Sequence, residues 1–168
     1  NKNLANREQN TMSFSSSMSV IEMRDSGGPD VLQLGTRPIP VLKSHEILVK
    51  VSAAGVNGPD LVQRRGHYPP PKGASDLLGL EVSGEVVALG AAQELWAVGD
   101  KICGLTNGGG YAEYVAIDAT HCLPIPSDIS LIDAAGLPET YFTVRRTVFF
   151  YHELPKNGIF LVHGGAGG

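Results

Sequence analysis

The densest chemical signal in the sequence lies at its end. Ile159-Phe160-Leu161-Val162-His163, a short apolar run, feeds directly into Gly164-Gly165-Ala166-Gly167-Gly168. An apolar strand entering a glycine-rich turn is how a dinucleotide-binding unit opens, because glycines let backbone N–H groups approach a pyrophosphate at a helix N-terminus. Gly165 and Gly167 then stand as the first two glycines of a GxGxxG pattern, with Gly168 beside them. Half a fingerprint fits a generic tight turn equally well, so both readings stand at this point. Other reactive types are sparse. Cys103 and Cys122 form no CxxC pair, His45, His67, His121 and His152 show no ligand spacing, and His163 reads better as a satisfied imidazole than as a phosphate contact.

Any such site needs a scaffold, and composition limits which. Among 168 residues, 21 are Gly and 11 are Pro, a turn-rich chain that still falls short of the roughly 25–30% marking low-complexity disorder. The 42% apolar content suffices for one sizeable core. A net charge of −4 without a dense basic run makes nucleic acid and anionic membrane poor partners. No apolar stretch approaches the ~18 residues that span a bilayer. Two cysteines cannot build a disulfide framework, which fits a reducing, cytoplasmic compartment. Residues 1–17 are rich in Asn and Ser, lack the pattern of a secretory signal, and read as a disordered leader or a cloning remnant.

From Met18 onward the sequence reads as short strands cut by turn chemistry. Val20 to Arg24 and Val31 to Leu34 form a hairpin around Ser26-Gly27-Gly28-Pro29-Asp30. Further strands are expected at Glu46 to Ala54, where Ile47, Val49 and Val51 alternate with polar or small neighbours, and at Leu78 to Leu89, Lys101 to Leu105 and Tyr111 to Ile117. Many short strands with glycine corners point to a closed or nearly closed β-barrel, which removes edges prone to aggregation. One short helix interrupts them: Asn57 or Gly58 caps it, Pro59 suits its first turn and Gly66 ends it. After Pro126, Ser130 to Asp133 is a helix start, Glu139 to His152 a helix, and Ile159 to His163 a buried parallel strand.

Several ordered blocks then acquire meaning together. Gly27-Gly28-Pro29-Asp30-Val31-Leu32, Ala54-Gly55-Val56-Asn57-Gly58-Pro59-Asp60, Arg65-Gly66-His67-Tyr68, Leu78-Gly79-Leu80-Glu81-Val82-Ser83-Gly84, Val98-Gly99-Asp100-Lys101-Ile102 and Gly109-Gly110-Tyr111-Ala112-Glu113-Tyr114 resemble the medium-chain dehydrogenase/reductase superfamily. Within it the chain is similar to the zinc-free NAD(P)H:quinone oxidoreductases related to zeta-crystallin. The resemblance implies an α/β protein with a large β part: a GroES-like β-barrel domain over residues 18–137, then the start of a Rossmann dinucleotide-binding domain over 138–168. Zinc enzymes of the superfamily carry a Cys where Asn57 stands and a His where Leu80 stands. Their third ligand position falls near Glu139, again without Cys, so the ligand types for zinc catalysis are missing.

The resemblance also assigns roles. Tyr68 and Asn57 are the expected catalytic residues, Tyr68 lining the acceptor site and Asn57 bonding the nicotinamide carboxamide or an acceptor carbonyl. Asn57, Thr143, Gly165, Gly167 and Gly168 are expected to bind the cofactor, NADPH or alternatively NADH, with no metal. Bland roles remain open beside these: helix cap for Asn57, loop tyrosine for Tyr68, backbone-bonded helical threonine for Thr143. Asp60 is expected to stabilise its helix N-terminus and Glu81 to hydrogen-bond structurally. Arg145 and Arg146 fall where the family packs small or aromatic residues, and burial of two guanidinium groups would demand partners.

A quinone suits a site without a Lewis acid, since it is already electrophilic and its reduced product is aromatic. The expected activity is therefore quinone reduction by hydride transfer from NAD(P)H, in a homodimer. Because a complete nucleotide fold needs roughly 100–150 further residues, the chain reads as an N-terminal part that is inactive alone. Two alternatives remain: a 2-enoyl-thioester reductase of the same superfamily, and a non-catalytic GroES-like module that binds a ligand or partner.

Overall fold

The computed structural model describes residues 16–151 and 154–165. A hairpin opens the fold: β1 (Ser17–Met23) pairs antiparallel with β2 (Leu32–Pro38) around a 3-10 turn at Pro29–Val31. Ser17, placed with the leader by sequence, thus lies inside β1 opposite Pro38; residues 1–15 lie outside the described residues. Pro38 is tolerated at the end of β2 because this is an edge strand.

Five more strands form an antiparallel sheet. They are β3 (Glu46–Ala54), β4 (Glu81–Leu89), β5 (Lys101–Leu105), β6 (Tyr114–Asp118) and β7 (Cys122–Pro124), in the spatial order β6-β3-β4-β5-β7. The hairpin joins this sheet through an isolated bridge between Val20 and Ala112, with the Ile21 amide donating to the Tyr111 carbonyl at 2.8 Å. No ladder among the described residues links β7 back to β2, so hydrogen bonding does not ring the barrel.

Two strands match their expected limits, β3 and β5. Two others begin later than their apolar content suggests. β4 starts at Glu81 because Gly79 adopts φ +98 and turns the chain, leaving Leu77 and Leu78 buried just outside the strand. β6 starts at Tyr114 because Tyr111 to Glu113 bond to β1 instead, through the Val20–Ala112 bridge and the Glu113 amide donating to the Ser19 carbonyl at 3.0 Å. Along β3 the simple alternation also fails: Ile47, Leu48 and Val49 are all buried, since a register shift between Leu48 and Val49 re-aims the side chains. The core of Ile47, Val49, Val82, Val86, Ile102, Val115 and Ile117 is largely β-branched, as a half-buried pleated surface favours. Cys122 completes it on one side.

Helix α1 (Gly58–Arg64) has Asn57 as its N-cap and Pro59 in its first turn, and Gly66 follows in the left-handed conformation at φ +82. Helix α2 (Leu131–Ala134) is capped by Ser130, whose Oγ accepts from the Asp133 amide at 3.1 Å. The expected helix after Glu139 takes the form of two wide turns, Pro138–Phe142 and Arg145–Phe150. Thr140, Thr143 and Thr147 each donate a hydroxyl to the carbonyl four residues back, at 2.8, 2.5 and 2.7 Å. Such back-bonding competes with the α-helical ladder and accounts for the opened turns. Arg145 and Arg146 are exposed, so their charges need no buried partners.

The sequence reading fails at Ile159 to His163. These residues form no strand, and Ile159 is 97% and Leu161 74% exposed. A parallel strand is stable only when neighbouring strands and helices cover both faces, and no such layers exist among the described residues.

Two glycines give opposite expectations. A Cβ on Gly84 would stand 2.1 Å from the Lys50 carbonyl oxygen, backbone that cannot yield, whereas one on Gly58 would meet nothing within 4 Å. Gly84→Ala should therefore destabilise the fold by about 1–3 kcal/mol, and Gly58→Ala should stabilise it by about 0.5 kcal/mol. Denaturant unfolding of both variants measures the contrast.

Candidate functional site

At the end of β3 the chain bends through Gly55 into α1, and two buried carboxylates organise this corner of the fold. Asp60, 2% exposed, accepts from the Asn57 amide through Oδ2 at 2.9 Å and from the Gly79 amide through Oδ1 at 3.0 Å. The Tyr111 hydroxyl adds a third bond to Oδ2 at 3.1 Å. An acid in the first helical turn suits the helix dipole, and these bonds also tie α1 to the Gly79 corner.

Glu81, the first residue of β4 and also 2% exposed, makes the second set. Its Oε1 accepts from Asn57 Nδ2 at 2.8 Å, and its Oε2 accepts from the Glu139 backbone amide at 2.8 Å. The carboxylate thereby joins α1, β4 and the helical turn beginning at Pro138. Gly55 is required beside it, because a Cβ there would lie 2.0 Å from Glu81 Oε1.

Beside this network lies a cleft of about 550 Å³. Pro59, Leu80 and Phe142 give it apolar and flat walls, Thr106 and Asn107 a polar edge, and Tyr68, Glu139, His121 and Cys122 its ionisable groups. Tyr68 is half-exposed, and its hydroxyl has no partner among the described residues. Thr106 is fixed by donating Oγ1 to the Gly79 carbonyl at 2.8 Å. Among the described residues no Lys or Arg lines the cleft.

Burial, and after it the neighbouring charges, shifts the acids here. Burial, followed by the charges of Glu81 and Asp60, raises the Glu139 carboxyl above the usual range. Burial pushes Cys122 up to about 12, which keeps it a thiol at neutral pH. Burial and then Asp60 raise Tyr111, so its hydroxyl remains a donor to that carboxylate. No group of three or more His, Cys, Asp or Glu among the described residues could hold a metal ion.

The sequence-expected residues divide. Tyr68 lines the cleft. Asn57 does not line it and is 6% exposed, with its side-chain amide donor committed to Glu81. Thr143 is exposed and donates its hydroxyl to the Glu139 carbonyl, while its neighbour Phe142 faces the cleft. Gly165 is exposed and does not line the cleft, and Gly167 and Gly168 lie outside the described residues. Sequence reading missed Thr106, Asn107 and Phe142 as cleft residues. Only Glu139 carried a signal, as the residue near the third ligand position of the zinc enzymes.

Comparison with known proteins gives concordant results. The model of the alcohol dehydrogenase GroES-like domain family matches residues 43–127. The quinone oxidoreductase of Mus musculus is 33% identical over 153 residues, 90% of this chain and 46% of that protein. The synaptic vesicle membrane protein VAT-1 homolog of Danio rerio is 36% identical over 143 residues, 84% of this chain and 30% of the relative. Among solved structures, the quinone oxidoreductase from Coxiella burnetii superposes with a TM-score of 0.69 at 30% identity, covering 77% of this chain and 44% of that one. The chain thus spans less than half the length of these relatives.

Removing the Asn57 amide leaves one oxygen of a buried carboxylate unpartnered. Asn57→Ala should cost about 1–3 kcal/mol in unfolding experiments. A loss within experimental error would mean that Glu81 is solvated through another route.

Proposed function

Because the chain belongs to the alcohol dehydrogenase GroES-like domain family, we propose that it is the acceptor-binding part of an NAD(P)H-dependent oxidoreductase that reduces quinones without a metal. The observation that carries this reading is the cleft beside the Asn57–Glu81–Glu139 network. Its flat walls at Phe142 and Tyr68 and its polar edge at Thr106 and Asn107 suit a planar ring bearing carbonyl or amide groups, which describes both a nicotinamide and a quinone. The relatives named quinone oxidoreductase support the same choice of acceptor.

The donor types argue for hydrogen-bond chemistry. Both Glu81 oxygens accept N–H bonds, from Asn57 and from Glu139, and Leu80 offers no ligand atom. A reduced nicotinamide supplies the hydride when bound. Tyr68 donates its phenol to an acceptor oxygen and offers its ring as a stacking face. Asn57 serves the site through Glu81, holding the end of β4 against the Pro138 turn so that the walls keep their spacing. Leu80, Phe142 and Pro59 exclude water. Gly165, Gly167 and Gly168 are proposed to receive the cofactor's pyrophosphate, and NADPH is preferred over NADH as the resemblance implies. The working protein is proposed to be a cytoplasmic homodimer. No helix among the described residues is long and apolar enough to cross a membrane.

Consumption of NADPH by the complete protein, followed with 1,4-benzoquinone and separately with a 2-enoyl-CoA, tests the reading. Turnover with the quinone is expected, and Tyr68→Phe should raise its KM about 2- to 10-fold through one lost hydrogen bond. Turnover with the thioester alone would transfer the proposal to a 2-enoyl-thioester reductase. A folded complete protein inert toward both would leave a ligand-binding module.

A further inference from the structure

We propose that the Glu139 carboxyl is the proton donor to the acceptor's oxygen in this cleft, an inference that rests on reading the cleft as the acceptor site. Three independent features converge on it. The backbone of Glu139 is pinned at both ends: its amide donates to Glu81 Oε2 at 2.8 Å and its carbonyl accepts from Thr143 Oγ1 at 2.5 Å. Its carboxyl, by contrast, has no hydrogen-bond or ion-pair partner among the described residues. A fixed backbone carrying an uncommitted acid into a cleft is the arrangement a proton donor needs.

The second feature is position. Glu139 and Tyr68 both line the same cleft, so an acceptor oxygen there can be met by both a phenol and a carboxyl. The third is the charge around it. Glu81 on β4 and Asp60 on α1 are the acidic groups acting on it, and Tyr68 in the loop after α1, His121 in the turn before β7 and Cys122 at the start of β7 line the same cleft. Among the described residues no Lys or Arg lines the cleft, and burial with the two carboxylates raises the pH at which the proton leaves.

The step balances. Hydride addition carries two electrons from the reduced nicotinamide to the quinone and leaves an oxyanion on the acceptor. The O–H bond of Glu139 breaks and the O–H bond of the hydroquinone forms, with the electron pair retained on the Glu139 carboxylate. A phenolic oxygen has an ordinary pKa of about 10, so the transfer from a carboxylic acid is downhill. Glu139 is only partly buried and regains its proton from water.

The test uses the complete protein, with 1,4-benzoquinone turnover as one readout and binding of 2,4-dinitrophenolate, a stable phenolic oxyanion, as the other. In the unaltered protein both should decline as pH rises through the titration of Glu139. Glu139→Gln should lower kcat about 100-fold below that titration and flatten both pH profiles, while Glu139→Asp, which keeps the acid, should restore the pH dependence even if Gln disturbs folding. Turnover and binding unchanged in Glu139→Gln would overturn the proposal while leaving the quinone reading intact. Absence of quinone turnover with dinitrophenolate binding still governed by Glu139 would do the reverse, sinking the quinone reading and supporting Glu139 as donor to an oxyanion. Loss of both signals in the unaltered protein would overturn both.

Discussion

A charge buried away from water must be met by donors, and Glu81 imposes that requirement on everything around it. At 2% exposure its carboxylate is sealed, and the donors that satisfy it come from two distant stretches of chain, the Asn57 side chain and the Glu139 backbone. Breaking either bond would strand a buried oxygen. The start of α1, the first residue of β4 and the Pro138 turn are thus held in one arrangement, and the cleft walls attached to them inherit it. The same constraint reaches back to Gly55, the residue type that leaves room for Glu81 Oε1.

Asp60, in the first turn of α1, repeats the device. It gathers the Asn57 and Gly79 amides and the Tyr111 hydroxyl, with no cationic partner among the described residues. Two buried acids satisfied by neutral donors leave uncompensated negative charge near the cleft. That field distinguishes Glu139 from an ordinary surface carboxylate, and it links a structural choice in the scaffold to the acid–base character of the site.

Local rules were enough to read some of this from sequence. Asn57-Gly58-Pro59 and Gly66 bracket α1 because capping, a first-turn proline and a left-handed glycine each act within a few residues. The limits of β3 and β5 come from apolar runs ended by glycine or polar residues. The features that stayed hidden depend on contacts far along the chain. Nothing near Leu78 announces that Gly79 must kink to meet Asp60, and the bonds from Glu81 to residues 57 and 139 cross the fold. Tyr68 was legible as a cleft residue through its family block, whereas Thr106 and Asn107 enter only because β5 ends beside it. The apolar Ile159 to His163 run was overread as a buried strand, since burial depends on neighbours that its own sequence does not encode.

The central claim is that a planar acceptor lies in the cleft above an intact Asn57–Glu81–Glu139 link. A crystal structure of the complete protein with NADP and a bound quinone tests it most directly. The account predicts ring density between Tyr68 and Phe142, an acceptor oxygen within hydrogen-bond reach of Tyr68 or Glu139, and both Glu81 bonds preserved. A quinone bound elsewhere, or a metal ion displacing Asn57 from Glu81, would contradict it.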